Sequence, residues 1–520
     1  MKKILLFSMI TALLCSCASE FSTQVKVDGG IIEGYSDNGL TIFKGIPFAA
    51  PPVGELRWKA PQPVIPWDGV LETKEYSKGP FQMGNPDNFS EDCLYLNVWT
   101  PARSAREKLP VLVWIYGGGF SMGWTGDPNY DCEALARKAL EEAGENVILA
   151  SLNYRVGQIG FFSHPWLDAE NANGVSGNYG LLDQIAALQW IQDNISKFGG
   201  DPSRVTIFGE SAGGISVSML CASPLAAGLF CGAVSESGGS FGPSRRSPLP
   251  GENMQTLEMA EADNQRVAEE LGATSLEELR ALEPSAFSRY MMGAGGWPIV
   301  DGYVIPDDQC ELYSAGKFND VNLLIGYNSD EGASFGFMNQ GLSHEDGVLQ
   351  RFGEKFSDKL LEAYPLEEDG SAGKTARDLM RDASFGWHTW KWACYQTEKG
   401  TKPVYLYYFD QHPENPEGAP HGYEVAYVFQ HVSNPMAKEE DFALMETMGE
   451  YWLNFARTGN PNGNDVPVWP QFTKDNHQSM YLVAPAPRPI PVPDESSLEV
   501  LDSYFTWRRT PDGRAFGTAE

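Results

Sequence analysis

Positive charge is scarce in this sequence. Its 520 residues include 38 Lys and Arg against 69 Asp and Glu, which gives a formal net charge of −31. A polyanion of this size repels a phosphate backbone, so nucleic acid is excluded as a partner. Hydrophobic residues make up 42% of the chain and charged residues 21%, which is typical of a globular protein with a sizeable core. The length alone allows one to three domains.

Long apolar runs and closely paired cysteines are also lacking. After the first twenty residues no segment approaches 18 apolar residues without charge, so the body is not predicted to span a membrane. The eight cysteines include no C-x-x-C pair, which gives no support for a zinc ribbon or a thioredoxin-like redox site. We therefore expect no metal and no organic cofactor. Bridges and buried free thiols both stay open for the six cysteines of the body: Cys93, Cys132, Cys221, Cys231, Cys310 and Cys394.

The N-terminus has the pattern of an export signal. Lys2-Lys3 precedes an apolar run over residues 4–14, which suits the h-region of a signal peptide and is too short for a membrane-spanning helix of about 20 residues. The run ends in Leu14-Cys15-Ser16-Cys17, which resembles the lipobox of bacterial lipoproteins. The resemblance implies that residues 1–17 form a lipoprotein signal peptide whose Cys17 becomes the acylated anchor.

In that interpretation residues 18–24 form a short tether. The protein would lie outside the cytoplasm, held to the bacterial cell envelope by lipid, with the outer membrane as the favoured location. Cleavage nearby to give an ordinary secreted or periplasmic protein is the alternative.

Apolar β-rich runs alternate with helical patterns along the body. The predicted strands cover 111–116, 147–152, 205–208, 233–235, 321–325 and Val404–Phe409, and the predicted helices cover 181–197, 214–220 and 254–271. This alternation predicts an α/β fold with a mostly parallel sheet and helices on both faces. Such a sheet places its functional site beyond the carboxyl ends of its strands.

Composition predicts two further kinds of segment. The Pro- and Gly-rich stretches 48–54, 243–251 and 485–493 are predicted to be surface loops. The acidic helical stretch 252–283 is predicted to be an insertion packed over the sheet.

The strongest local signal is the run Val205-Thr206-Ile207-Phe208-Gly209-Glu210-Ser211-Ala212-Gly213-Gly214. Here a β-rich stretch enters a G-x-S-x-G motif, and a helical pattern follows. This is the context of a nucleophile elbow, a sharp strand-to-helix turn that exposes the serine hydroxyl. The glycines allow the turn to close, and the helix N-terminus supplies positive partial charge to a developing anion. Ser211 is the predicted nucleophile, with a plain turn serine as the alternative.

A serine nucleophile also needs hydrogen-bond donors for the tetrahedral oxyanion. The run Trp114-Ile115-Tyr116-Gly117-Gly118-Gly119-Phe120 opens from a predicted strand into three glycines, whose backbone N–H groups can approach a substrate oxygen. Gly118, Gly119 and Ala212 are the predicted donors. A flexible glycine turn without a role is the alternative.

Together these motifs resemble those of the type-B carboxylesterases, the family that includes cholinesterases and liver carboxylesterases. Phe198-Gly199-Gly200 and the run through Gly213 resemble the family's serine signature, and Glu91-Asp92-Cys93-Leu94-Tyr95-Leu96-Asn97-Val98-Trp99 resembles its second signature. Further matching segments are Phe43-Lys44-Gly45-Ile46-Pro47, Asn153-Tyr154-Arg155-Val156-Gly157 and Phe455-Ala456-Arg457-Thr458-Gly459-Asn460-Pro461-Asn462. The resemblance implies one large α/β-hydrolase domain over residues 25–510, followed by a C-terminal tail, 511–520.

The resemblance also implies a catalytic triad in the chain order Ser, acid, His. Of the seven histidines, His421 lies in Gly418-Ala419-Pro420-His421-Gly422-Tyr423-Glu424, which matches the family's catalytic-histidine segment. It follows a predicted strand in a loop where the imidazole can turn toward Ser211. His412 and His431 lack this setting and are predicted to be surface or core residues.

The acid comes from Asn328-Ser329-Asp330-Glu331-Gly332, which follows the predicted strand 321–325. Chemistry alone leaves Asp330 and Glu331 open, but adjacent residues leaving a strand point in different directions, so only one can face His421. The resemblance favours Glu331. Asp301 is the next candidate and is expected to be a structural turn residue.

Two more assignments follow from the resemblance alone. Glu210, beside the nucleophile, resembles the family's buried acid that organises the site. Ser237, in Ser235-Glu236-Ser237-Gly238, resembles a serine that hydrogen-bonds within the triad network.

The sequence departs from the family near the entrance to the site. Gly79-Pro80-Phe81-Gln82 lacks the cysteine that many members pair with the equivalent of Cys93, and the loop 83–90 contains no Trp. Cholinesterases present a Trp from a longer loop here to bind quaternary ammonium. Choline esters are therefore not expected as substrates.

The predicted function is a serine hydrolase of small-to-medium neutral carboxylic esters that acts through an acyl-enzyme. Amide or peptide hydrolysis by the same triad is one alternative, and a non-catalytic binding protein is the other. The partner is a small-molecule ester, with the membrane reached only through the N-terminal lipid. Oligomeric state stays open.

Overall fold

Strand and helix alternate as predicted in a computed structural model that describes residues 21–141, 145–245, 254–290, 296–339, 342–368, 370–413, 417–433 and 435–516, with the side chains of 336–339 omitted. The predicted signal peptide, its anchor Cys17 and residues 18–20 of the tether lie outside the described residues.

The strands, in chain order, are β1 Gln24–Val27, β2 Gly30–Glu33, β3 Tyr35–Asp37, β4 Leu40–Pro47, β5 Val70–Glu72, β6 Gly79–Pro80, β7 Phe89–Ser90, β8 Tyr95–Thr100, β9 Leu109–Ile115, β10 Ile148–Leu152, β11 Gly200–Glu210, β12 Gly232–Glu236, β13 Gln255–Thr256, β14 Ile299–Val300, β15 Asn322–Asn328, β16 Val404–Phe409, β17 Gln478–Leu482 and β18 Arg488–Pro491.

The helices are α1 Glu133–Glu141, α2 Gly157–Phe161, α3 Pro165–Glu170, α4 Tyr179–Asn194, α5 Ala212–Ala222, α6 Leu257–Glu270, α7 Leu276–Ala281, α8 Gln309–Ser314, α9 His344–Phe352, α10 Glu354–Ala363, α11 Gly373–Arg381, α12 Trp387–Lys399, α13 Val425–Val428, α14 Glu439–Thr458, α15 Glu495–Arg508 and α16 Pro511–Ala515. In the described part of the chain, none is long and apolar enough to cross a membrane.

One large mixed sheet organises the molecule, with the strand order β18-β17-β16-β15-β12-β11-β9-β10-β8-β4-β3. The run from β17 to β10 is parallel, while β18 and the strands β8, β4 and β3 pair antiparallel at the two edges. Every residue of β9 and of β10 is buried, as a strand covered by helices on both faces requires. The predicted α/β-hydrolase fold with a mostly parallel central sheet is therefore correct.

The bounds of several predicted strands differ from those observed, and one segment predicted to be a loop contains a strand. Val404–Phe409 is reproduced residue for residue, whereas β11 extends well beyond the predicted 205–208 at both ends. The predicted loop 485–493 contains β18, which pairs with β17 at the sheet edge. Prolines are tolerated on an edge strand because its outward N–H groups need no partner, so Pro489 and Pro491 did not prevent pairing.

The acidic insertion also packs differently from the prediction. Val267, Ala268 and Leu279, from α6 and α7, join a second, smaller core with Trp58 and Phe162 rather than covering the sheet. The same core also contains Ile159 of α2 and Leu167 of α3. The insertion is therefore docked beside the sheet.

Candidate active site

Ser211 lies at a sharp turn between the end of β11 and the start of α5. Its φ of 56° and ψ of −121° are a strained conformation for a residue with a side chain. The turn is held because Ser211 N donates to the Glu236 carbonyl at 2.8 Å. A Cβ on Gly213 would lie 2.0 Å from the Ile115 carbonyl oxygen, so the glycine permits the close packing of α5 on the sheet.

His421 connects the serine to a buried carboxylate. Its Nε2 lies 2.8 Å from Ser211 Oγ, and its Nδ1 lies 2.5 Å from Glu331 Oε2. With Nδ1–H directed to the carboxylate, Nε2 is left to accept a hydrogen bond from the serine hydroxyl. The three residues predicted from separate parts of the sequence are thus brought into one hydrogen-bonded chain.

Glu331 begins a 3₁₀ helix directly after β15 and is fully buried. Its Oε1 accepts from the Asn328 N–H at 2.7 Å and from the Ser237 hydroxyl at 2.5 Å. These donors occupy the oxygen that does not face His421. The carboxylate is therefore fixed in one orientation.

The rejected candidates lie elsewhere. Asp330 pairs with Arg377, whose Nε lies 2.9 Å from its Oδ1. Asp301 accepts from the N–H groups of Tyr303 and Ile305, as expected of a turn residue.

The two neighbouring histidines also lie outside the triad. His412 Nε2 is 3.4 Å from Asp410 Oδ1. His431 donates its backbone N–H to the Ala426 carbonyl.

The glycine loop after β9 passes directly beside the nucleophile. A Cβ on Gly117 would lie 3.1 Å from the Ser211 Cβ and 2.6 Å from the Glu210 carbonyl oxygen. Gly118 and Gly119 follow with φ of 99° and 58°. Gly117 therefore lies against the serine from one side, and Ala212, the first residue of α5, follows the serine directly along the chain.

Glu210 places a second carboxylate at the histidine, with Oε1 3.2 Å from His421 Nε2. Burial raises the pKa of Glu210 to about 7, against the attraction of the His421 charge, which lowers it. Burial opposes charge on His421 as well, but the carboxylates of Glu210 and Glu331 outweigh it and raise the pKa of His421 to about 9. The site therefore concentrates negative charge around one imidazole.

Two buried acids near the triad were not predicted from the sequence. Glu424 contacts the side chain of Asn328, and burial raises its pKa to about 8. Glu236 accepts from the indole N–H of Trp452 at 2.7 Å, and burial likewise raises its pKa. Each lies in a segment quoted in the sequence analysis for another residue, Glu424 with His421 and Glu236 with Ser237. The signal that could have identified them is a charged residue type within an otherwise apolar or glycine-rich stretch.

Aromatic rings enclose the imidazole. Phe385 stacks on His421 with ring centroids 4.8 Å apart and planes at 29°, and Phe335 lies at 5.2 Å and 59°. Phe385 was not singled out from the sequence, because it lies in none of the motifs and an aromatic residue is more often a core residue.

The departures from the family motifs have structural counterparts. In the loop 83–90, Phe89 packs edge-on against Trp124, and the side chain of Gln82 holds the backbone of Gly123. Cys93 is buried, and it and the other five body cysteines are free thiols. Among the described residues, no cluster of His, Cys, Asp and Glu could hold a metal ion.

A serine at a strand-to-helix turn, followed along the chain by a buried acid and a histidine at the carboxyl edge of this sheet, defines an α/β-hydrolase. The chain belongs to the carboxylesterase family, whose sequence model matches residues 21–490. The family consists of carboxylic ester hydrolases, so the protein is a serine esterase by class.

The relatives span several named activities. The chain is 34% identical over 473 residues to a fumonisin B1 esterase of Sphingopyxis macrogoltabida, covering 86% of this chain and 84% of that protein. It is 34% identical over 485 residues to the para-nitrobenzyl esterase of Bacillus subtilis strain 168, covering 88% and 94%. A solved carboxylesterase of Geobacillus stearothermophilus superposes with a TM-score of 0.81 at 31% identity, covering 92% of this chain and all of the other.

Proposed function

We propose that this protein hydrolyses small-to-medium neutral carboxylic esters with a Ser211–His421–Glu331 triad. The observation that carries the proposal is the unbroken hydrogen-bond chain from Ser211 Oγ through His421 to Glu331, with distances of 2.8 and 2.5 Å. Neutral His421 removes the serine proton as Oγ attacks the ester carbonyl carbon. The Glu331 carboxylate holds the required tautomer and stabilises the imidazolium that forms.

The remaining steps use the same groups. The N–H groups of Gly118, Gly119 and Ala212 stabilise the oxyanion of the tetrahedral intermediate. His421 gives its proton to the leaving alcohol oxygen, and the carbon–oxygen bond breaks to leave an acyl-enzyme on Ser211. His421 then takes a proton from water as the water oxygen attacks the acyl carbon. The bond from that carbon to Ser211 Oγ breaks, His421 returns the proton to Oγ, and the acid is released. No metal or organic cofactor takes part in these steps.

Glu210 and Ser237 have supporting roles in this proposal. Glu210 sets the charge beside Nε2, and Ser237 fixes the orientation of Glu331. The buried carboxylates of Glu331 and Glu210 favour neutral over strongly anionic esters, because an added negative charge would be repelled in a site shielded from water. The named activities of the relatives differ from one another and define no single natural ester.

The test combines labelling and turnover. The protein is treated with a fluorophosphonate probe, and hydrolysis of short p-nitrophenyl esters is compared with that of matched p-nitroanilides. We expect labelling at Ser211, lost in Ser211→Ala, and faster ester turnover. Absence of labelling would contradict a catalytic serine, and faster anilide turnover would make the protein an amidase or peptidase instead.

We also propose that Cys17 anchors the protein to the bacterial cell envelope. The support is the sequence pattern ending in Leu14-Cys15-Ser16-Cys17. On fractionation of cells, Cys17→Ser should move the protein out of the membrane fraction, while Cys15→Ser should not. If both variants stayed with the membrane, the anchor would lie elsewhere.

A further inference from the structure

A helix interrupted by one π turn lies against His421 and against the loop 328–332, which carries Glu331 and is called the acid loop below. Helices α11 and α12 are joined through Asp382–Gly386, where the N–H of Trp387 bonds to the Asp382 carbonyl in the i to i−5 pattern. The residues on both sides keep helical dihedral angles, so residues 373–399 form one continuous helical rod. Single π turns of this kind are frequent at functional sites.

Three side chains at intervals of four along this rod face the site. Arg377 pairs with Asp330, and Arg381 donates to the Ser329 carbonyl at 3.2 Å. Phe385, four residues further, stacks on the His421 ring. We call this face, Arg377, Arg381 and Phe385, the clamp face. It touches the loop that carries Glu331 and the imidazole that Glu331 orients.

The clamp face is held firmly from behind. The Arg381 guanidinium is 2% exposed and bonds to both oxygens of the buried Asp382 and to Asp494. Asp382 in turn accepts from the hydroxyl of Tyr364 at 2.8 Å. Buried, multiply bonded ions of this type keep one geometry, because any displacement leaves a charge unpaired in a medium of low polarity.

The hydrogen bonds of His421 only weakly oppose one motion of the ring, its rotation about the line that joins the two bonds. The bonds at Nδ1 and Nε2 lie near the ring plane, so they fix its position along the line from Glu331 to Ser211. They resist tipping of the ring about that line only weakly. A flat side chain packed on the ring face blocks this motion, and Phe385, itself 2% exposed, is packed there.

We infer that Phe385 is a positioning residue for His421, and that the π turn serves to bring its ring onto the imidazole from the helix that also holds the acid loop. The wider π turn keeps Phe385 in line with Arg377 and Arg381, while α12 keeps Trp387 and Trp392 in the core. The inference rests on the proposed role of His421 as the base. Misplacement of a catalytic group by about 1 Å costs up to about a hundredfold in rate.

The test compares Phe385→Leu with Phe352→Leu, which removes an equally buried ring that packs on Tyr504 rather than on His421. For Phe385→Leu we expect kcat on p-nitrophenyl esters to fall about tenfold to a hundredfold, with KM within about twofold of the unaltered protein. Modification of Ser211 by a fluorophosphonate should slow by a similar factor, because it uses the same imidazole. The low-field proton resonance of Nδ1–H should broaden. Phe352→Leu should change none of these.

The outcomes separate this inference from the proposed function. If the unaltered protein neither hydrolyses esters nor takes the probe, the proposed function fails and this inference with it. If it does both, and folded Phe385→Leu keeps its kcat or shows a raised KM with unchanged probe reactivity, Phe385 is only a wall of the pocket. Thermal unfolding reports folding, and Phe385→Met, which also removes the ring, replaces Phe385→Leu if the latter does not fold.

Discussion

The hydroxyl of Ser237 donates to Glu331 Oε1 at 2.5 Å, on the carboxylate whose other oxygen holds His421. The backbone N–H of Asn328 is the second donor to the same oxygen. Ser237→Ala would remove a hydrogen bond to a charged group, worth about 1.5–3 kcal/mol. We expect kcat/KM to fall about tenfold, measured on a p-nitrophenyl ester. Ser235→Ala, two residues earlier on β12 and bonded to the Gly214 carbonyl, is the control. Unchanged kcat/KM in Ser237→Ala would contradict the role of Ser237 in orienting Glu331.

The adjacent carboxylates Asp330 and Glu331 allow a direct test of the acid. Glu331→Gln should lower kcat about 10⁴-fold, because an amide no longer enforces the imidazole tautomer that accepts the serine proton. Asp330→Asn should lower it less than about tenfold, since Asp330 pairs with Arg377 outside the triad. Steady-state kinetics on one ester checks both variants, and a larger loss in Asp330→Asn would reverse the assignment.

The pH dependence of activity should report the charge of Glu210. Only neutral His421 can accept the serine proton, so kcat/KM rises as pH increases through the pKa of His421 and is lost below it. The Glu210 carboxylate raises that pKa from 3.2 Å away. Glu210→Gln should therefore move the rising limb to lower pH by about one unit or more. The profile is measured on a neutral ester, with Glu145→Gln on the surface as control. A limb that stays in place would contradict coupling between Glu210 and His421.

Gly118 and Gly119 differ in the space that each leaves for a side chain. A Cβ on Gly118 would lie 2.5 Å from the Met122 carbonyl oxygen, whereas one on Gly119 would meet only Ser121 Oγ at 3.7 Å. Gly118→Ala should displace the loop and its oxyanion donors and cost about 10²–10³ in kcat. Gly119→Ala should cost about tenfold at most. Equal losses in the two variants, at equal protein stability, would show that backbone displacement is not the cause.

The buried pair Arg155–Asp183 should govern stability rather than chemistry. Both side chains are inaccessible, and Arg155 bonds to both oxygens of Asp183 from the loop after β10. Asp183→Asn leaves the guanidinium without its counter-charge and should lower the free energy of unfolding by about 3–5 kcal/mol. Glu145→Gln breaks the surface pair with Arg204 and should cost less than about 1 kcal/mol. Urea unfolding monitored by tryptophan fluorescence compares the two, and similar losses would contradict the dependence on burial.

Much of the fold was predictable because central parallel strands are continuous apolar runs, as Val404–Phe409 shows. The bounds of β11 were not, since residues 200–204 are glycine, proline or polar, and of these only Gly200 pairs with β9 before the register shifts to Val205. The strand β18 forms despite its prolines, because an edge strand requires hydrogen bonds on one side only. Such pairing depends on a partner strand that the local sequence does not specify.

The candidate site likewise contains residues that the sequence predicted and residues that only the structure identifies. Ser211, Glu331 and His421 stand in motifs of several residues, and the structure brings them together. Phe385 stands in no such motif and Glu424 stands in one quoted for His421, so the relevance of both depends on which residues pack against them from distant elements. The assignments that concern Cys17 and the catalytic roles themselves stay predictions.

The spacing of the three residues along the chain affects when the protein can become active. His421 lies 210 residues after Ser211 and 90 after Glu331. A chain that folds from its N-terminus can form the turn at Ser211 from neighbouring strands, but it has no base until β16 has joined β15. Contacts this distant in sequence form late and slowly. Reactivity of Ser211 toward a fluorophosphonate is thus a reporter of completed folding, and a fragment that ends before β16 would carry an inert serine.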